Sequence, residues 1–380
     1  MIKRCLDFEK ILKHKSYFLL GPRQTGKSYW IKKTMSKYKT YDLLKPDVFN
    51  RLSANPSLLI NELTKKDKIV IIDEIQKMPI LLDVVHSLIE DLHINFLLTG
   101  SSARKLMSKG INLLGGRARR IYFHPLTFIE LKKKFNLEKA LNIGLIPSIY
   151  FSDEPEKDLE SYVGIYLKEE IAAEGLSRKL NAFSRFLEVA ALCNGEQINY
   201  NQIASDAEVP RTTVQEYFQI LKDTLIANEL PCWQETLKRK PIATSKFYFF
   251  DFGVVRKLQK LSTILPKSPL WGKAFESYIY HELKTYCDYH GIDNLHFWRT
   301  SNGIEVDFIL NNNAAIEVKA SDKFRESDLN NLIKLSEEKK LKYYILINQY
   351  DRPLNSIHHK NIKILPWNLF LEQLWDGKYV

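Results

Sequence analysis

Short apolar runs alternate with amphipathic stretches over residues 16–130. This alternation is typical of an α/β layered domain, in which short strands are buried between layers of helices. Four runs are the strand candidates of this region: 17–20, 68–72, 95–98 and 120–123. The pattern therefore predicts an N-terminal domain with a central sheet covered by helices.

The pattern becomes mainly helical between about residues 155 and 230. Segments 200–207 and 211–221, joined by a turn that ends in Pro210, have the spacing of a helix-turn-helix. Three apolar positions of the second helix are expected to face the core: Val214, Phe218 and Leu221. Four others would then face a DNA groove: Arg211, Thr213, Gln215 and Gln219. A protein-docking module or a plain spacer is the alternative role of this helix pair.

The α/β pattern returns from about residue 270. A strand is expected at 246–251 and a helix over 272–287, followed by two strands around Asn311-Asn312-Asn313. Further strands are expected at 342–346 and 363–365, and the Pro-containing segment 262–269 is the clearest linker. We therefore expect three domains, over residues 1–150, 151–265 and 266–380.

Composition and charge narrow the class of protein. The 380 residues carry a formal net charge of +11, which suits a polyanionic partner such as DNA. Four scattered cysteines have no zinc or redox spacing and indicate reduced thiols: Cys5, Cys193, Cys232 and Cys287. Because no apolar run approaches the length of a membrane span or a signal peptide, we expect a soluble, cytoplasmic protein without membrane contact.

A glycine-rich loop follows the first predicted strand. It reads Gly21-Pro22-Arg23-Gln24-Thr25-Gly26-Lys27-Ser28 and matches G-x-x-x-x-G-K-[ST] in full. Such a loop wraps its backbone N–H groups around the β-phosphate of ATP at a helix N-terminus. Lys27 would reach the β- and γ-phosphates, and the Ser28 hydroxyl would ligate Mg²⁺. A chance match is the alternative, and the strand-loop-helix context argues against it.

Two further strands end in polar residues. Asp73 and Glu74 follow the apolar run 68–72, where Asp73 would hold the Mg²⁺ shell and Glu74 would polarise the attacking water. The strand at 95–98 precedes Thr99-Gly100-Ser101-Ser102. Ser101 is the preferred sensor of the γ-phosphate, with Thr99 and Ser102 as alternatives. A Gly-Ser turn that caps the next helix would explain the same residues.

Arginines cluster in a loop at Gly115-Gly116-Arg117-Ala118-Arg119-Arg120. Arg117 and Arg119 are candidate arginine fingers, which stabilise γ-phosphate charge and often act across a subunit boundary. This hypothesis implies a homo-oligomer, and a solvated basic loop is the alternative.

The chain resembles the AAA-type prokaryotic ATP-binding proteins that carry a C-terminal domain of uncharacterised function. The resemblance covers nearly the whole chain and rests on the glycine-rich loop together with six segments: 71–76, 98–102, 246–253, 272–276, 298–300 and 316–319. It implies an AAA-like P-loop NTPase domain, a winged-helix domain and a C-terminal α/β domain related to PD-(D/E)xK nucleases. One departure is Gly144-Leu145-Ile146-Pro147-Ser148, where the family has a second glycine and an acid after the proline.

The C-terminal hairpin carries the residues of a possible nuclease site. If the hairpin is symmetric about Asn312, Asp307 lies opposite Glu317, and Glu305 lies opposite Lys319. Facing carboxylates repel unless a cation lies between them, so Asp307 and Glu317 could hold a second Mg²⁺, or Mn²⁺. Glu276, on the helix at 272–287, could add a third oxygen ligand, and Lys319 would position the nucleophile. A solvated hairpin face with mixed charges is the alternative.

Two functions compete at this point. The first is an ATP-driven protein that acts on DNA through a winged helix and a nuclease-like domain. The second is a nucleotide-controlled switch or scaffold that binds proteins and has an inactive C-terminal domain. Salt-sensitive DNA binding would separate them, because phosphate contacts weaken as salt rises. A metabolic kinase is disfavoured, since no second substrate site is indicated beside the loop.

Overall fold

The computed structural model describes residues 2–101, 113–166, 180–236, 239–356 and 358–380. The chain divides into two compact units, one of residues 3–125 with 219–226 and one of residues 126–218 with 227–380. The domain boundaries predicted at 150 and 265 stay a prediction. Across the described ranges, no helix has both the length and the apolar character needed to cross a bilayer.

The first unit is built around a five-stranded parallel sheet with the strand order β2-β3-β4-β1-β5. Its strands are β1 (Ser16–Leu20), β2 (Lys39–Asp42), β3 (Ile69–Asp73), β4 (Asn95–Gly100) and β5 (Ala118–Tyr122). Its helices are Phe8–Leu12, Lys27–Thr34, Pro46–Ala54, Leu58–Glu62 and Leu81–Leu92. The predicted α/β architecture is confirmed here. Strand β2 was not predicted, because its first two residues are exposed and no continuous apolar run marks it.

Burial of apolar side chains stabilises this sheet. Every residue of β1 and β3 is buried, and the amphipathic helix Leu81–Leu92 packs four apolar side chains into the same core. Because all five strands are parallel, their carboxyl ends meet at one edge of the sheet. The strand order places β4 between β3 and β1 at that edge.

The second unit contains a helical group followed by a small antiparallel sheet. The helices are Leu180–Leu192, Tyr200–Asp206 and Arg211–Asp223, of which the last has residues 219–223 in the first unit, and the sheet has the order β6-β8-β7. Its strands are β6 (Glu196–Gln197), β7 (Ala227–Leu230) and β8 (Lys246–Phe249). Strand β8 ends before the predicted Asp251, because the Asp251 carboxylate caps the helix Phe252–Leu258.

A six-stranded mixed sheet follows, with the order β13-β14-β12-β11-β10-β9. Its strands are β9 (Leu295–Arg299), β10 (Glu305–Leu310), β11 (Ala314–Val318), β12 (Tyr343–Asn348), β13 (Leu354–Asn355) and β14 (Ile362–Pro366). The longer helices of this part are Pro269–His290, Asn330–Ser336 and Trp367–Trp375. The helix predicted at 272–287 starts earlier, because the Ser268 hydroxyl caps it and Pro269 takes its first position.

Shorter helices complete the second unit. They are Phe128–Leu131, Leu137–Ile143, Pro147–Tyr150, Pro155–Ser161 and Phe252–Leu258. The departure from the family pattern at 144–148 starts after Leu137–Ile143 and ends within Pro147–Tyr150, and there the carboxylate of Asp251 accepts the Leu145 N–H at 2.6 Å. A side chain at Gly144 would overlap that carboxylate, so a glycine is required there.

Candidate functional site

The glycine-rich loop leaves the carboxyl end of β1 and enters the helix Lys27–Thr34. Gly26 precedes this helix with a φ of 93°, and Gln24 has a φ of 60°, both in the left-handed region. A Cβ at Gly21 would overlap the carbonyl oxygen of Phe123, so the loop passes too close to its neighbour for any side chain. A tight turn at a helix N-terminus is the arrangement in which backbone N–H groups can bind an anion.

Lys27 lies inside this turn. Its side chain is buried, and its ammonium group donates hydrogen bonds to the carbonyl oxygens of Gly21 at 2.6 Å and Pro22 at 2.9 Å. Thr25 adds a bond from its hydroxyl to the Pro22 carbonyl at 2.8 Å. Lys27 is thereby held across the loop, where a phosphate group bound by the loop N–H groups would meet its charge.

Asp73 and Glu74 lie at the end of β3 and are connected through β4. The hydroxyl of Thr99 donates to one carboxylate oxygen of Asp73 and accepts the backbone N–H of Glu74 at 3.1 Å. Asp73 is only 2% exposed, and its second carboxylate oxygen remains as an acceptor for a cation. Asp73 and Ser28 thus fit Mg²⁺ by chemistry, since both offer hard oxygen ligands.

Glu74 is linked to Ser101 by Gln76. The Gln76 amide nitrogen donates to the Glu74 carboxylate and, at 3.2 Å, to the Ser101 hydroxyl. Glu74 itself has a φ of 62°, a strained backbone conformation for a non-glycine residue. The alternative sensor Ser102 lies outside the described residues. Gln76 did not stand out from the sequence, because no spacing rule marks a glutamine three positions after Asp73.

Gln76 also explains the glycine between Thr99 and Ser101. A Cβ at Gly100 would lie 2.7 Å from the Gln76 Oε1 atom, which is buried and has no hydrogen-bond partner. The glycine therefore allows Gln76 to pack flat against β4.

The candidate finger arginines lie near the amino ends of the strands, whereas the loop leaves the carboxyl end of β1. Arg119 on β5 is in register with Tyr17, at the start of β1, and its side chain is exposed. Arg117 precedes β5 and forms an ion pair with Glu90, which lowers the Glu90 pKa. Neither arginine is therefore placed to reach the loop of its own sheet.

Arg4 supports the loop and was not singled out by its sequence context. Its guanidinium group donates to the Thr25 carbonyl at 3.2 Å and to the His124 carbonyl at 2.5 Å. The same group lies 4.0 Å from the centre of the Phe123 ring. One buried arginine thus connects the N-terminal segment to the glycine-rich loop.

The helix-turn-helix candidates keep their predicted faces. Val214, Phe218 and Leu221 are buried, which confirms their core positions. Arg211, Gln215 and Gln219 are exposed and Thr213 is half-buried. A cleft of about 700 Å³ borders the start of this helix and is lined by Arg211, Asn199, Tyr200, Glu229 and Thr244, among others.

The C-terminal hairpin has the predicted register. Phe308 pairs with Ile316 and Leu310 with Ala314, so the hairpin is centred on Asn312, which confirms the expected symmetry. Asn311 and Asn312 have φ values of 52° and 53°, as a tight turn requires. The Asp307 carboxylate accepts the backbone N–H of Val318 at 2.7 Å.

Four acidic side chains form what we call the carboxylate cluster: Glu276, Glu305, Asp307 and Glu317. Lys319 donates to Glu317 at 2.8 Å and does not pair with Glu305, which was predicted to lie opposite it. Glu305 instead pairs with Arg299 at 2.9 Å, because β9 and not the end of β11 lies beside it.

A second lysine enters the cluster from β8. Lys246 is 3% exposed, and its Nζ atom lies 2.6 Å from Glu305 and 3.2 Å from Glu276. Tyr248, two residues along the same strand, donates to the same Glu276 oxygen at 2.7 Å. Sequence reasoning missed both residues, since their role depends on a strand that lies far away along the chain.

Burial and mutual repulsion dominate the electrostatics of the cluster. Burial, then the charges of Glu317 and Glu276, raise the pKa of Asp307 well above its usual range. Burial also raises the pKa of Glu317. Burial alone would lower the pKa of Lys246, but the charges of Glu276, Asp307 and Glu305 outweigh it and raise that pKa.

The donor chemistry of the carboxylate cluster suits a divalent metal, but the placement of its side chains does not favour one. The donors are all carboxylate oxygens, and one oxygen of Glu317 is buried without a hydrogen-bond partner. Yet within the described ranges no three His, Cys, Asp or Glu side chains converge on a common metal position. Ammonium groups take that role instead: Lys246 holds Glu276, and Lys319 holds Glu317.

Family models match three successive parts of the chain. A model described as an AAA domain matches residues 13–132. Two domains of unknown function, DUF8612 and DUF4143, match residues 134–264 and 271–370. The first match, together with the parallel sheet and its glycine-rich loop, supports an AAA domain in this part of the chain. The other two matches assign no role.

Two curated relatives are named only as uncharacterized proteins. They are Mb2031c of Mycobacterium bovis and Rv2008c of Mycobacterium tuberculosis, each 25% identical over 303 residues. The match covers 77% of this chain and 66% of each relative, so the chain spans slightly less than two thirds of their length.

Solved structures give only distant likenesses. Replication initiator DnaA bound to AMPPCP and single-stranded DNA is 14% identical with a TM-score of 0.28, covering 56% of this chain and 85% of that one. ORC1 of Aeropyrum pernix in complex with DNA is 12% identical with a TM-score of 0.27, covering 68% and 94%. Pif1 helicase of Candida albicans is 15% identical with a TM-score of 0.21, covering 41% and 47%. Such scores assign no activity to this chain.

Proposed function

We propose that this protein is a Mg²⁺-dependent ATPase that acts on DNA through its helix-turn-helix and a nuclease-like C-terminal domain. The observation that carries the ATPase part is the connected polar group at one sheet edge. There Thr99 bridges Asp73 and the backbone of Glu74, and the loop that holds Lys27 leaves the adjacent strand.

Each residue of this edge has a role in the proposed reaction. The loop N–H groups bind the β-phosphate, and Lys27 reaches the β- and γ-phosphates. Ser28 and Asp73 would hold Mg²⁺, which when bound neutralises charge on the phosphate oxygens. Glu74 orients the attacking water and accepts its proton, while Ser101 contacts the γ-phosphate. Gln76 fixes Glu74 relative to Ser101 through its two hydrogen bonds.

Three observations support the DNA part of the proposal. The net charge is +11. The second helix exposes Arg211, Gln215 and Gln219, and the antiparallel pair β7–β8 follows it as the wing of a winged helix would. Asp307, Glu317 and Lys319 share one hairpin, and a preceding helix supplies Glu276, in the order of a PD-(D/E)xK site.

Plasmid nicking tests the DNA part, with wild type, Lys27→Ala and Asp307→Ala compared in Mg²⁺ or Mn²⁺, with and without ATP. We expect nicking that is lost in Asp307→Ala, and the Lys27→Ala lane shows whether ATP controls it. ATP hydrolysis by wild type and its loss in Lys27→Ala test the ATPase part separately. Nicking absent from every lane, with ATP hydrolysis intact, rejects the nuclease.

A second function is favoured by the ammonium groups in the carboxylate cluster. Because Lys246 and Lys319 neutralise the carboxylates, the C-terminal domain can be stable without a metal and can serve as a binding module. The protein would then be a nucleotide-controlled switch or scaffold for other proteins. DNA affinity that does not fall as salt rises would favour this function over the first.

A further inference from the structure

Lys246 reaches the carboxylate cluster from a strand that is fixed on both sides. Strand β8 is the central strand of its sheet, and Lys246 pairs with Gln197 of β6 and with Leu230 of β7. On the opposite face of β8, Phe247 packs against Phe218 with ring centres 4.5 Å apart. The backbone of Lys246 is therefore held in place, and only its flexible four-carbon stem can move the ammonium group.

The two contacts of the ammonium group are unequal. Its distance to Glu305 is 2.6 Å, whereas its distance to Glu276 is 3.2 Å. Glu305 also accepts a hydrogen bond from Arg299, so it is fixed as an anchor for the lysine. The longer contact to Glu276 is the one that a competing cation can replace at lower cost.

The cluster also contains an acceptor that no protein donor satisfies. Glu317 is 2% exposed, and its Oε2 atom is buried without a hydrogen-bond partner. A buried carboxylate oxygen without a partner is costly, and a cation in the cluster would remove that cost. This atom points independently to a positively charged ligand beyond the two lysines.

We propose that Lys246 is the resident cation of the carboxylate cluster, and that a divalent metal ion binds there when the lysine releases Glu276 and stays on Glu305. This inference rests on the proposed metal site of Glu276, Asp307 and Glu317. An ammonium group and a metal ion repel when they share one carboxylate in a largely buried site. Lys246 therefore sets the metal affinity of the cluster, although it is not a metal ligand.

Mn²⁺ binding to the nucleotide-free full chain tests this inference, with free Mn²⁺ measured by electron paramagnetic resonance at fixed pH and ionic strength. Lys246→Met should bind Mn²⁺ about tenfold more tightly than wild type, because Glu276 loses its counter-charge and Glu305 keeps only Arg299. Glu305→Gln should change the affinity in the opposite direction and weaken it about threefold, since the lysine loses its anchor and stays on Glu276.

Two control variants locate the effect. Lys273→Met removes the same charge from an exposed ion pair with Glu196 and should leave Mn²⁺ affinity unchanged. Adding Asp307→Asn to Lys246→Met should abolish the gain, which assigns the extra affinity to the cluster and not to the nucleotide loop.

The outcomes separate the two proposals. If Lys246→Met and wild type bind Mn²⁺ equally, and Asp307→Asn weakens both, the metal site stands and the role of Lys246 is rejected. If no variant shows binding that depends on Asp307, the metal site and the nuclease proposal fail together. Should Lys246→Met not fold, as judged by circular dichroism, Glu305→Gln decides, and unchanged affinity in that variant rejects the role of Lys246.

Discussion

A few side chains connect the groups that the proposed ATPase reaction requires. Thr99 joins Asp73 to the backbone of Glu74, and Gln76 joins the Glu74 side chain to Ser101. These hydrogen bonds from buried neighbours would preorganise the proposed site before a nucleotide binds. Glu74 also has a left-handed backbone, so its direction depends on these contacts.

Gln76→Ala should lower the turnover number of ATP hydrolysis about tenfold, with little change in the KM for ATP, because it releases the proposed general base. Steady-state kinetics at saturating Mg²⁺ measures both values. Lys77→Ala, an exposed neighbour, is the matched control and should behave as wild type. An equal effect on turnover and KM would mean that Gln76 holds the whole loop and does not act through Glu74.

Gly21→Ala should destabilise the first unit by about 1–3 kcal/mol, because the added methyl group overlaps the Phe123 carbonyl. Thermal unfolding followed by circular dichroism would show the loss, together with weaker ATP binding. Gly272→Ala is the control, since a Cβ there meets no atom within 4 Å and lies in a helix. Equal unfolding temperatures for the two variants would contradict the close approach seen at Gly21.

At the scale of elements, one buried acid joins three helices of the second unit. Glu282, on the helix Pro269–His290, accepts the backbone N–H of Phe128 at 2.7 Å and the indole N–H of Trp375 at 3.0 Å. Phe128 starts one helix and Trp375 ends another, so the acid caps one helix and anchors the other. Burial raises the pKa of Glu282 to about 7.

The stability of the second unit should therefore fall as pH rises from about 4.5 to about 7. The folded pKa of Glu282 exceeds its ordinary value of 4.5, so the folded state binds more protons in this window. The loss is on the order of 3 kcal/mol between the two pH values. Urea unfolding at a series of pH values measures it.

Glu282→Gln should reduce this pH dependence, because an amide does not titrate, and the remaining slope comes from other buried acids such as Asp307 and Glu317. It should also lower the free energy of unfolding by about 1–3 kcal/mol at low pH, since the NH₂ group of the glutamine cannot accept a hydrogen bond from Phe128 or Trp375. Glu138→Gln changes an exposed acid and should keep the wild-type pH dependence. An unchanged slope in Glu282→Gln would assign the pH dependence to another group.

The elements also show what could be predicted from the sequence. Strands β1, β3 and β4 were predicted because their residues form continuous apolar runs, and the polar residues at their ends are the proposed ATPase residues. Strand β2 was missed because an edge strand buries only half of its residues. The symmetric hairpin followed from its Asn-rich turn. Lys246 could not be predicted, since a contact between β8 and β10 depends on tertiary packing and not on spacing.

At the scale of the whole molecule, the proposed arginine fingers require a second copy of the chain. Arg119 pairs with Tyr17, four residues before Gly21, so it lies roughly 13 Å from the loop along the strands at about 3.3 Å per residue. It also lies near the amino ends of the strands, whereas the loop lies at their carboxyl ends. An active role for Arg119 therefore implies that its side chain serves the ATP site of a neighbouring subunit.

Mixing two inactive variants tests this role directly. Lys27→Ala should abolish ATP hydrolysis, and Arg119→Ala should lower it about a hundredfold or more if the arginine is a finger. In a mixed oligomer, an Arg119→Ala subunit keeps an intact loop, and a neighbouring Lys27→Ala subunit keeps the arginine. Random association of equal amounts should then restore roughly a quarter of the wild-type activity, because half of the loops and half of the arginines are intact.

Arg120→Ala alters the next exposed residue of β5 and should remain active alone. If sedimentation shows mixed oligomers but no activity is recovered, the arginines form a solvated basic surface. Their position on an edge strand is also compatible with that role.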